Sequence, residues 1–206
     1  MIIKLHQIKP NYMSDAELTA SDIYLNDHVT FNSGLFYLIK ANSGNGKSSL
    51  LNFIYGINSN FSGDISYEKI DASHLKINKL SYVFQDFKLF EELTILENIQ
   101  IKNKLTHYKT ENEINNLLSK VHLLEKKDTL VKTLSLGQRQ RVAIIRSLCQ
   151  PFHFLLLDEP FSHLDNDNIK ILTSIIEEEC KKQQAGILLT TLNNEYLFKY
   201  DKILNL

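Results

Sequence analysis

One short segment constrains the fold of this chain more than any other: a glycine-containing loop between an apolar run and a helical run. The apolar run, Leu35–Ile39, is typical of a buried strand. The loop Ala41–Ser49 follows it, and the apolar residues of 50–54 then take helical spacing. Glycine admits positive φ and leaves N–H groups uncovered, and a helix N-terminus attracts anions. The segment therefore predicts a phosphate-binding loop between a strand and a helix.

The side chains of this loop suit a nucleoside triphosphate with its magnesium ion. Lys47 can reach the β- and γ-phosphates, and the Ser48 hydroxyl can bind Mg²⁺. We expect the other phosphate contacts from Asn42, Ser43, Gly44, Asn45, Gly46 and Ser49. The strict pattern G-x-x-x-x-G-K-S/T is not met, because Ala41 occupies the first glycine position. The alternative is an ordinary Gly-Asn-Gly turn before a helix, and the loop alone is compatible with both.

Two adjacent carboxylates follow a second apolar run, His153–Leu157. Ligands of parallel sheets bind at the carboxyl ends of the strands. Asp158 at such an end can hold Mg²⁺ through water, and Glu159 can polarise an attacking water. The alternative for this pair is a solvated turn.

A third candidate segment, Leu134–Gln138, stands where a helix is predicted to begin. Ser135 and Gly137 there offer a hydroxyl and free N–H groups to an anion, but for this segment alone a plain serine N-cap is the better explanation. All three arginines of the chain follow on this helix: Arg139, Arg141 and Arg146. They serve either as structural partners or as a positive field near the phosphates.

Apolar strands that alternate with helices predict an α/β fold with a covered, largely parallel sheet. The helical stretch from about 88 to 150 interrupts this alternation, so we expect a lobe there and a core formed by 1–87 and 151–206. The clearest sign of the helical lobe is an apolar stripe with helical spacing: Ile114, Leu117, Leu118, Val121 and Leu124. The polar segment 103–110 is expected to be a surface connection.

Composition and charge exclude several classes of protein. The chain has 23 basic and 24 acidic residues, and its net charge of −1 provides no global attraction to nucleic acid or anionic lipid. No stretch approaches roughly 18 apolar residues, so we expect no membrane-spanning helix, and 1–6 lacks the apolar core of a signal peptide. Cys149 and Cys180 have no metal-type spacing and are expected to be packed thiols in a reducing compartment.

The chain resembles the ATP-binding subunits of ABC transporters over nearly its whole length. Five segments occur in the order of that family: the Walker A loop (Ala41–Ser49), the Q-loop glutamine (Gln85), the signature (Leu134–Gln138), the Walker B strand (Leu155–Glu159) and the D-loop (Ser162–Asp165). Each motif is weak or moderate alone, but five in order are specific. Asp165 also fits a plain helix N-cap.

The resemblance implies a P-loop NTPase core, an N-terminal antiparallel β portion and an inserted α-helical lobe. It implies ATP hydrolysis with Mg²⁺ by two subunits packed head to tail, with a homodimer expected. In that scheme Tyr12 stacks on adenine, although it could be an ordinary surface tyrosine. Gln85 senses Mg²⁺ and water, and Ser135, Gly137 and Gln138 contact the ATP of the opposite subunit.

The resemblance also implies a membrane permease as partner, and a location in the cytoplasm at the inner face of the membrane. The permease would be contacted through Gln85–Ile99. The pattern of 87–99 is most similar to the branch for lipoprotein release, macrolide export and cell division. Phe87, Leu89 and Phe90 either dock that partner or belong to the core of the helical lobe.

Three positions depart from the family pattern. Ala41 adds a methyl group to the loop, and Leu136 replaces the first glycine of the signature pair. Thr191 stands where the family places a histidine that contacts the γ-phosphate, and threonine is shorter and cannot carry a positive charge. We therefore expect normal ATP binding with slow hydrolysis.

Two other functions stay open. One is a regulatory module in which ATP closes the dimer with little turnover, which the missing histidine favours. The other is a soluble ABC ATPase of DNA repair or translation, which the short chain and its balanced charge disfavour.

Overall fold

The computed structural model describes residues 1–14, 18, 21–42, 44–68, 79–192 and 195–206. The strands are β1 Ile2–Pro10, β2 His28–Asn32, β3 Phe36–Lys40, β4 Phe61–Glu68, β5 Leu80–Val83, β6 Phe154–Asp158, β7 Gly186–Thr191 and β8 Lys202–Asn205. The helices are α1 Lys47–Tyr55, α2 Ile95–Thr106, α3 Glu111–Lys120, α4 Leu136–Leu148 and α5 Asn166–Gln183. Short 3-10 turns at Leu124–Lys126 and Val131–Thr133 connect α3 to α4. This order confirms the predicted α/β class.

The parallel sheet has the strand order β5-β6-β7-β3-β8. Successive side chains of a strand point to opposite faces, and both faces of this sheet are covered. Leu155 and Leu157 of β6 join the apolar cluster on the side of α4 and α5, whereas Phe154 and Leu156 join the cluster on the side of α1. Burial on both faces explains why these strands read as continuous apolar runs.

The antiparallel sheet has β1 at its centre, paired with β2 and with β4. Its pairing with β4 shifts register between His6 and Lys9. Gly63 lies opposite this irregularity, where a Cβ atom would come within 2.3 Å of the carbonyl oxygens of His6 and Gln7. The buried face of the sheet shares one apolar cluster with α1, which confirms the expected N-terminal antiparallel portion.

Each helix between β5 and β6 begins with a capping box, a sequence signal of helix starts. The paired residues are Thr94 with Glu97, Thr110 with Glu113, and Ser135 with Gln138. In each pair, the hydroxyl accepts from the backbone N–H three residues later, and the longer side chain returns a bond to the N-cap N–H. These local signals fix where the helices start.

The expected surface connection over 103–110 is wrong in part. Helix α2 continues to Thr106, and Lys109 is buried. The predicted stripe of α3 does face inward, with Ile114 and Leu118 fully buried. These helices share one apolar cluster with α5 and the parallel sheet, and the division into a core and a lobe stays a prediction.

Helix α5 begins at Asp165, whose carboxylate accepts from the Asn168 N–H at 2.8 Å. Among the helices in the described ranges, each is too short or too polar to serve as a membrane span. Cys180 of α5 and Cys149 at the end of α4 are buried, as expected. Burial raises the pKa of the Cys149 thiol to about 12, so this thiol is not reactive near neutral pH.

Candidate functional site

The glycine loop connects β3 to α1 and has the backbone conformation that glycine alone adopts easily. Gly44 and Gly46 have φ values of +88° and +83°. A Cβ atom on Gly46 would lie 3.1 Å from the Tyr24 hydroxyl, which itself donates a hydrogen bond to the Gly46 carbonyl oxygen at 3.0 Å. Gly46 is also the N-cap of α1, and as a glycine it makes no side-chain bond to the N–H groups of the first helical turn.

Lys47 is the first residue of α1, and its side chain is only 6% exposed. Its ammonium donates to the carbonyl oxygens of Ala41 at 2.8 Å and Asn42 at 3.0 Å. It also lies 3.5 Å from Glu159 Oε1. The Lys47 ammonium is therefore bonded to the backbone of the loop and lies next to the Glu159 carboxylate.

The other described residues of the loop differ in exposure and partners. Ser48 and Ser49 are half-buried in the first helical turn, and Asn45 donates to the Leu206 carbonyl oxygen at 3.5 Å. Asn42 and Gly44 are exposed. Ser43 lies outside the described residues.

Asp158 ends β6 beside Thr190 of β7, to which it is paired in register. The Thr190 hydroxyl donates to Asp158 Oδ1 at 2.7 Å, and the Asp158 side chain is buried. Glu159 then turns out of the strand with φ at +46°, and its N–H donates to the Thr190 carbonyl oxygen at 3.1 Å. The carboxyl ends of β3 and β6 thus bring together the lysine and both carboxylates.

Thr191 is the last residue of β7 and is buried. Its carbonyl oxygen accepts from the Ala41 N–H at 3.2 Å, so it adjoins the start of the glycine loop. Gln85 follows β5, next to β6 in the sheet, and is exposed. Thr191 at the end of β7 and Gln85 after β5 therefore lie at the same edge of the sheet as Lys47 and Asp158.

Tyr12 contacts the first turn of α1. Its hydroxyl is hydrogen-bonded to Ser49 Oγ in the first turn of the helix. The side chain is 51% exposed, so a large part of its ring is open to a ligand.

The signature residues lie apart from the lysine. Ser135, Gly137 and Gln138 line a depression together with His163 and Asp165, and neither Lys47 nor Asp158 lines it. Ser135 caps α4, and its capping box occupies the side chain of Gln138. A Cβ atom on Gly137 would lie 2.8 Å from the His163 carbonyl oxygen, so only glycine fits there without a shift. Leu136 is exposed beside it.

All three arginines donate to backbone carbonyl oxygens, as expected of structural partners. Arg139 donates to the carbonyl oxygens of Leu134 and Lys132, and Arg141 to that of Val121. Arg146 donates to the Phe87 and Lys88 carbonyl oxygens, both at 2.8 Å, and burial lowers its pKa to about 10.

The three apolar residues after Gln85 have different environments. Phe87 is buried, Leu89 is partly buried and Phe90 is 56% exposed. A docking role for Phe87 is therefore wrong, because its ring packs into the cluster of α4.

Sequence reasoning missed two buried polar residues near these motifs, Gln140 and Asn98. Gln140 of α4 contacts Glu159, Ser162 and His163. Asn98 of α2 bonds both backbone polar groups of Phe90. Their one local signal is an amide within a helix whose buried positions are mostly apolar, which does not reveal the partner.

Known proteins are similar to this chain in sequence. The family model described as ABC transporter matches residues 24–162. A Staphylococcus epidermidis protein named "Putative hemin import ATP-binding protein HrtA" is 33% identical over 185 residues, covering 84% of this chain and 82% of that protein. The lipoprotein-releasing system ATP-binding protein LolD of Ehrlichia ruminantium is 29% identical over 197 residues, covering 90% and 86%.

A solved structure of an ATP-binding cassette has a fold similar to that of this chain. It is a dimeric ATP-binding cassette in a post-hydrolysis state with ADP and phosphate, and it matches with a TM-score of 0.73 and 25% identity. The match covers 93% of this chain and 88% of that one. The motifs, the fold and the family match agree: this chain belongs to the ATP-binding domains of ABC transporters and is an ATPase.

Proposed function

We propose that this chain hydrolyses ATP slowly, as one subunit of a dimer that powers a membrane-spanning permease. The observation that carries the chemistry is the 3.5 Å separation of Lys47 Nζ and Glu159 Oε1 at the edge of the parallel sheet. A triphosphate in the glycine loop would draw the ammonium away from the loop carbonyls to the β- and γ-phosphates. Glu159 would then be free to orient the attacking water.

The residues around Lys47 fit a magnesium ion. Asp158 is a buried carboxylate whose Oδ1 already accepts from Thr190, and carboxylate and hydroxyl oxygens are preferred magnesium ligands. Ser48, Asp158 and Gln85 would hold the ion, which when bound neutralises phosphate charge. Tyr12 would stack on adenine, since its ring is exposed beside the first turn of α1.

The dimer would place a nucleotide between two chains. Ser135, Gly137 and Gln138 line a depression that does not include Lys47, so they would meet the ATP of the opposite subunit. The dimeric arrangement of the similar ATP-binding cassette supports this assembly, and we propose a homodimer.

A permease would dock on Gln85–Ile99 at the inner face of the cell membrane. Phe90 supports this surface because it is 56% exposed while Asn98 fixes its backbone through bonds to its N–H and its carbonyl oxygen. The similarity to LolD favours the branch that includes lipoprotein release.

Slow turnover rests on Thr191, which adjoins the glycine loop through its backbone but lacks an imidazole. Loss of one polar contact to the transition state lowers kcat by about 10²–10³ in enzymes with oxyanion holes. We therefore expect Thr191→His to raise the single-turnover rate of ATP hydrolysis by about 10²-fold. Thr191→Gln, which adds length without an imidazole, is the matched control.

The assay uses purified chain in excess over radiolabelled ATP, with and without membranes that contain the permease. An unchanged rate in Thr191→His would contradict slow turnover caused by this position. Tight ATP binding with negligible hydrolysis, even with the permease present, would favour a regulatory switch. An affinity capture from solubilised native membranes that recovers no multi-span protein would contradict the permease proposal.

A further inference from the structure

Gln140 is a polar side chain that the chemistry described above does not use, although it is only 1% exposed. It lies on α4, three residues after Gly137. Its Nε2 donates to the Glu159 carbonyl oxygen at 3.3 Å and to Ser162 Oγ at 3.4 Å, and its Oε1 accepts from the His163 N–H at 3.0 Å. One amide therefore satisfies three groups of the segment 159–163.

Glu159 needs such support because its backbone conformation is unfavourable. Its φ of +46° lies in the left-handed region, where side chains with a Cβ atom are uncommon unless their surroundings hold them. Its N–H is held by the Thr190 carbonyl oxygen at 3.1 Å, and its carbonyl oxygen is held by Gln140. The direction of the Glu159 carboxylate, next to Lys47, depends on both bonds.

The same segment touches α4 at a second point. The space where Gly137 would carry a Cβ atom is 2.8 Å from the His163 carbonyl oxygen. Segment 159–163 therefore packs against the first two turns of α4, and Ser135 is the N-cap of this helix.

We propose that Gln140 is a positioning residue that aims the Glu159 carboxylate and joins it to the helix that begins at Ser135. This inference rests on the proposed role of Glu159 in hydrolysis.

The test compares Gln140→Met with wild type. Methionine has a similar length and keeps the buried volume, but it offers neither donor nor acceptor of comparable strength. We expect the single-turnover rate of ATP hydrolysis to fall at least tenfold while the Kd for ATP stays within about twofold. Gln140→Glu keeps the acceptor for His163 but places a carboxylate oxygen against the Glu159 carbonyl, so it should lower the rate as well.

Ser147→Ala is the matched control, because Ser147 is a buried polar residue of the same helix. Its hydroxyl donates to the Ile144 carbonyl oxygen, far from segment 159–163 along the helix. Its rate should equal that of wild type. A wild-type rate in Gln140→Met overturns the proposal. A lower rate also overturns it if ATP binding weakens by the same factor.

A double variant separates action through Glu159 from any other action. In the Glu159→Gln background, Gln140→Met should lower the residual rate no further, since the group that it positions is already gone. A further loss would overturn the proposal.

A crystal structure of Gln140→Met gives a readout that does not need turnover. We expect Glu159 to leave the left-handed region and its carboxylate to move beyond 3.5 Å from Lys47. Unchanged geometry would overturn the proposed role of Gln140. Failure of the proposed role of Glu159 would appear separately, as a wild-type rate in Glu159→Gln alone, a variant that leaves Gln140 intact.

Discussion

A buried ion pair connects the segment after α2 to α5 and gives a sharp prediction about stability. Lys109 Nζ lies 2.6 Å from Glu179 Oε2, and their side chains are 4% and 9% exposed. Glu179 Oε1 also accepts from the Tyr108 hydroxyl at 2.5 Å and from Gln183 Nε2 at 2.8 Å. The carboxylate therefore has one charged and two neutral donors.

Lys109→Met removes the ammonium and keeps the apolar stem, which leaves a buried carboxylate with neutral donors alone. Removing one partner of a buried ion pair costs about 3–5 kcal/mol. Because two neutral donors remain, we expect the free energy of unfolding to fall by about 3 kcal/mol. With a urea m-value of about 3 kcal/mol/M, the midpoint of urea unfolding should fall by about 1 M.

The matched control is the neighbouring ion pair of Lys120 on α3 and Glu178 on α5. Its atoms are 3.4 Å apart, and its side chains are 42% and 72% exposed. Exposed pairs contribute about 0–1 kcal/mol, so Lys120→Met should move the midpoint by a few tenths molar or less. Equal effects of the two variants would refute the reasoning from burial.

The pH dependence of the same variant tests its physical cause. Burial raises the pKa of Glu179, but hydrogen bonds from Lys109 and Tyr108 and the charge of Lys109 outweigh burial and hold this pKa below its ordinary value. In wild type, the stabilisation by Glu179 is complete above its ordinary pKa and is lost only as the pH falls below it. It is therefore constant between about pH 5 and pH 7.5.

Without the ammonium, burial should raise the pKa of Glu179 in the folded state of Lys109→Met. The folded variant then binds a proton more readily than the unfolded chain, so its stability rises as the pH falls. The deficit relative to wild type should shrink from about pH 7.5 to about pH 5. A deficit that stays constant over this range would show that lost packing, not the unpaired carboxylate, causes the effect.

Substitutions at two residues of the nucleotide site, Gly46 and Tyr12, give further predictions. Gly46→Ala places a Cβ atom 3.1 Å from the Tyr24 hydroxyl at a φ of +83°, so it should weaken ATP binding more than tenfold in equilibrium dialysis; wild-type affinity would contradict the loop geometry. Tyr12→Ala should weaken ATP binding by about 1–3 kcal/mol if its ring stacks on adenine, whereas Tyr12→Phe should retain affinity. Equal losses in the two Tyr12 variants, measured by calorimetry, would assign the effect to the hydrogen bond with Ser49 instead.

The local features of the fold were predictable from sequence. Helix starts such as Ser135 and Asp165 are readable because the capping bonds join residues three apart. The run Leu35–Ile39 and the loop after it were readable because a buried parallel strand is apolar throughout and a phosphate loop needs glycine. The structure shifts that strand by one residue, to Phe36–Lys40.

The long-range polar contacts were not predictable. Lys109 and Glu179 are 70 residues apart in sequence, and no periodicity indicates that one is paired and buried. The polar composition of 103–110 suggested a surface segment, because a lysine is rarely buried without a partner. Lys109 is nevertheless buried, because it is paired with Glu179 on α5.

Backbone strain near the candidate site has a common origin that sequence does not reveal. Phe87, Lys88 and Glu159 have φ values of +63°, +46° and +46°, and none of them is a glycine. Arg146 of α4 bonds the carbonyl oxygens of the first two, and Gln140 of the same helix bonds that of Glu159. Pattern rules identify α4 as an amphipathic helix, but they give no role to its polar residues. Because these two side chains hold the loops after β5 and β6, helix α4 is a single rigid element on which the geometry of both Gln85–Ile99 and Glu159 depends.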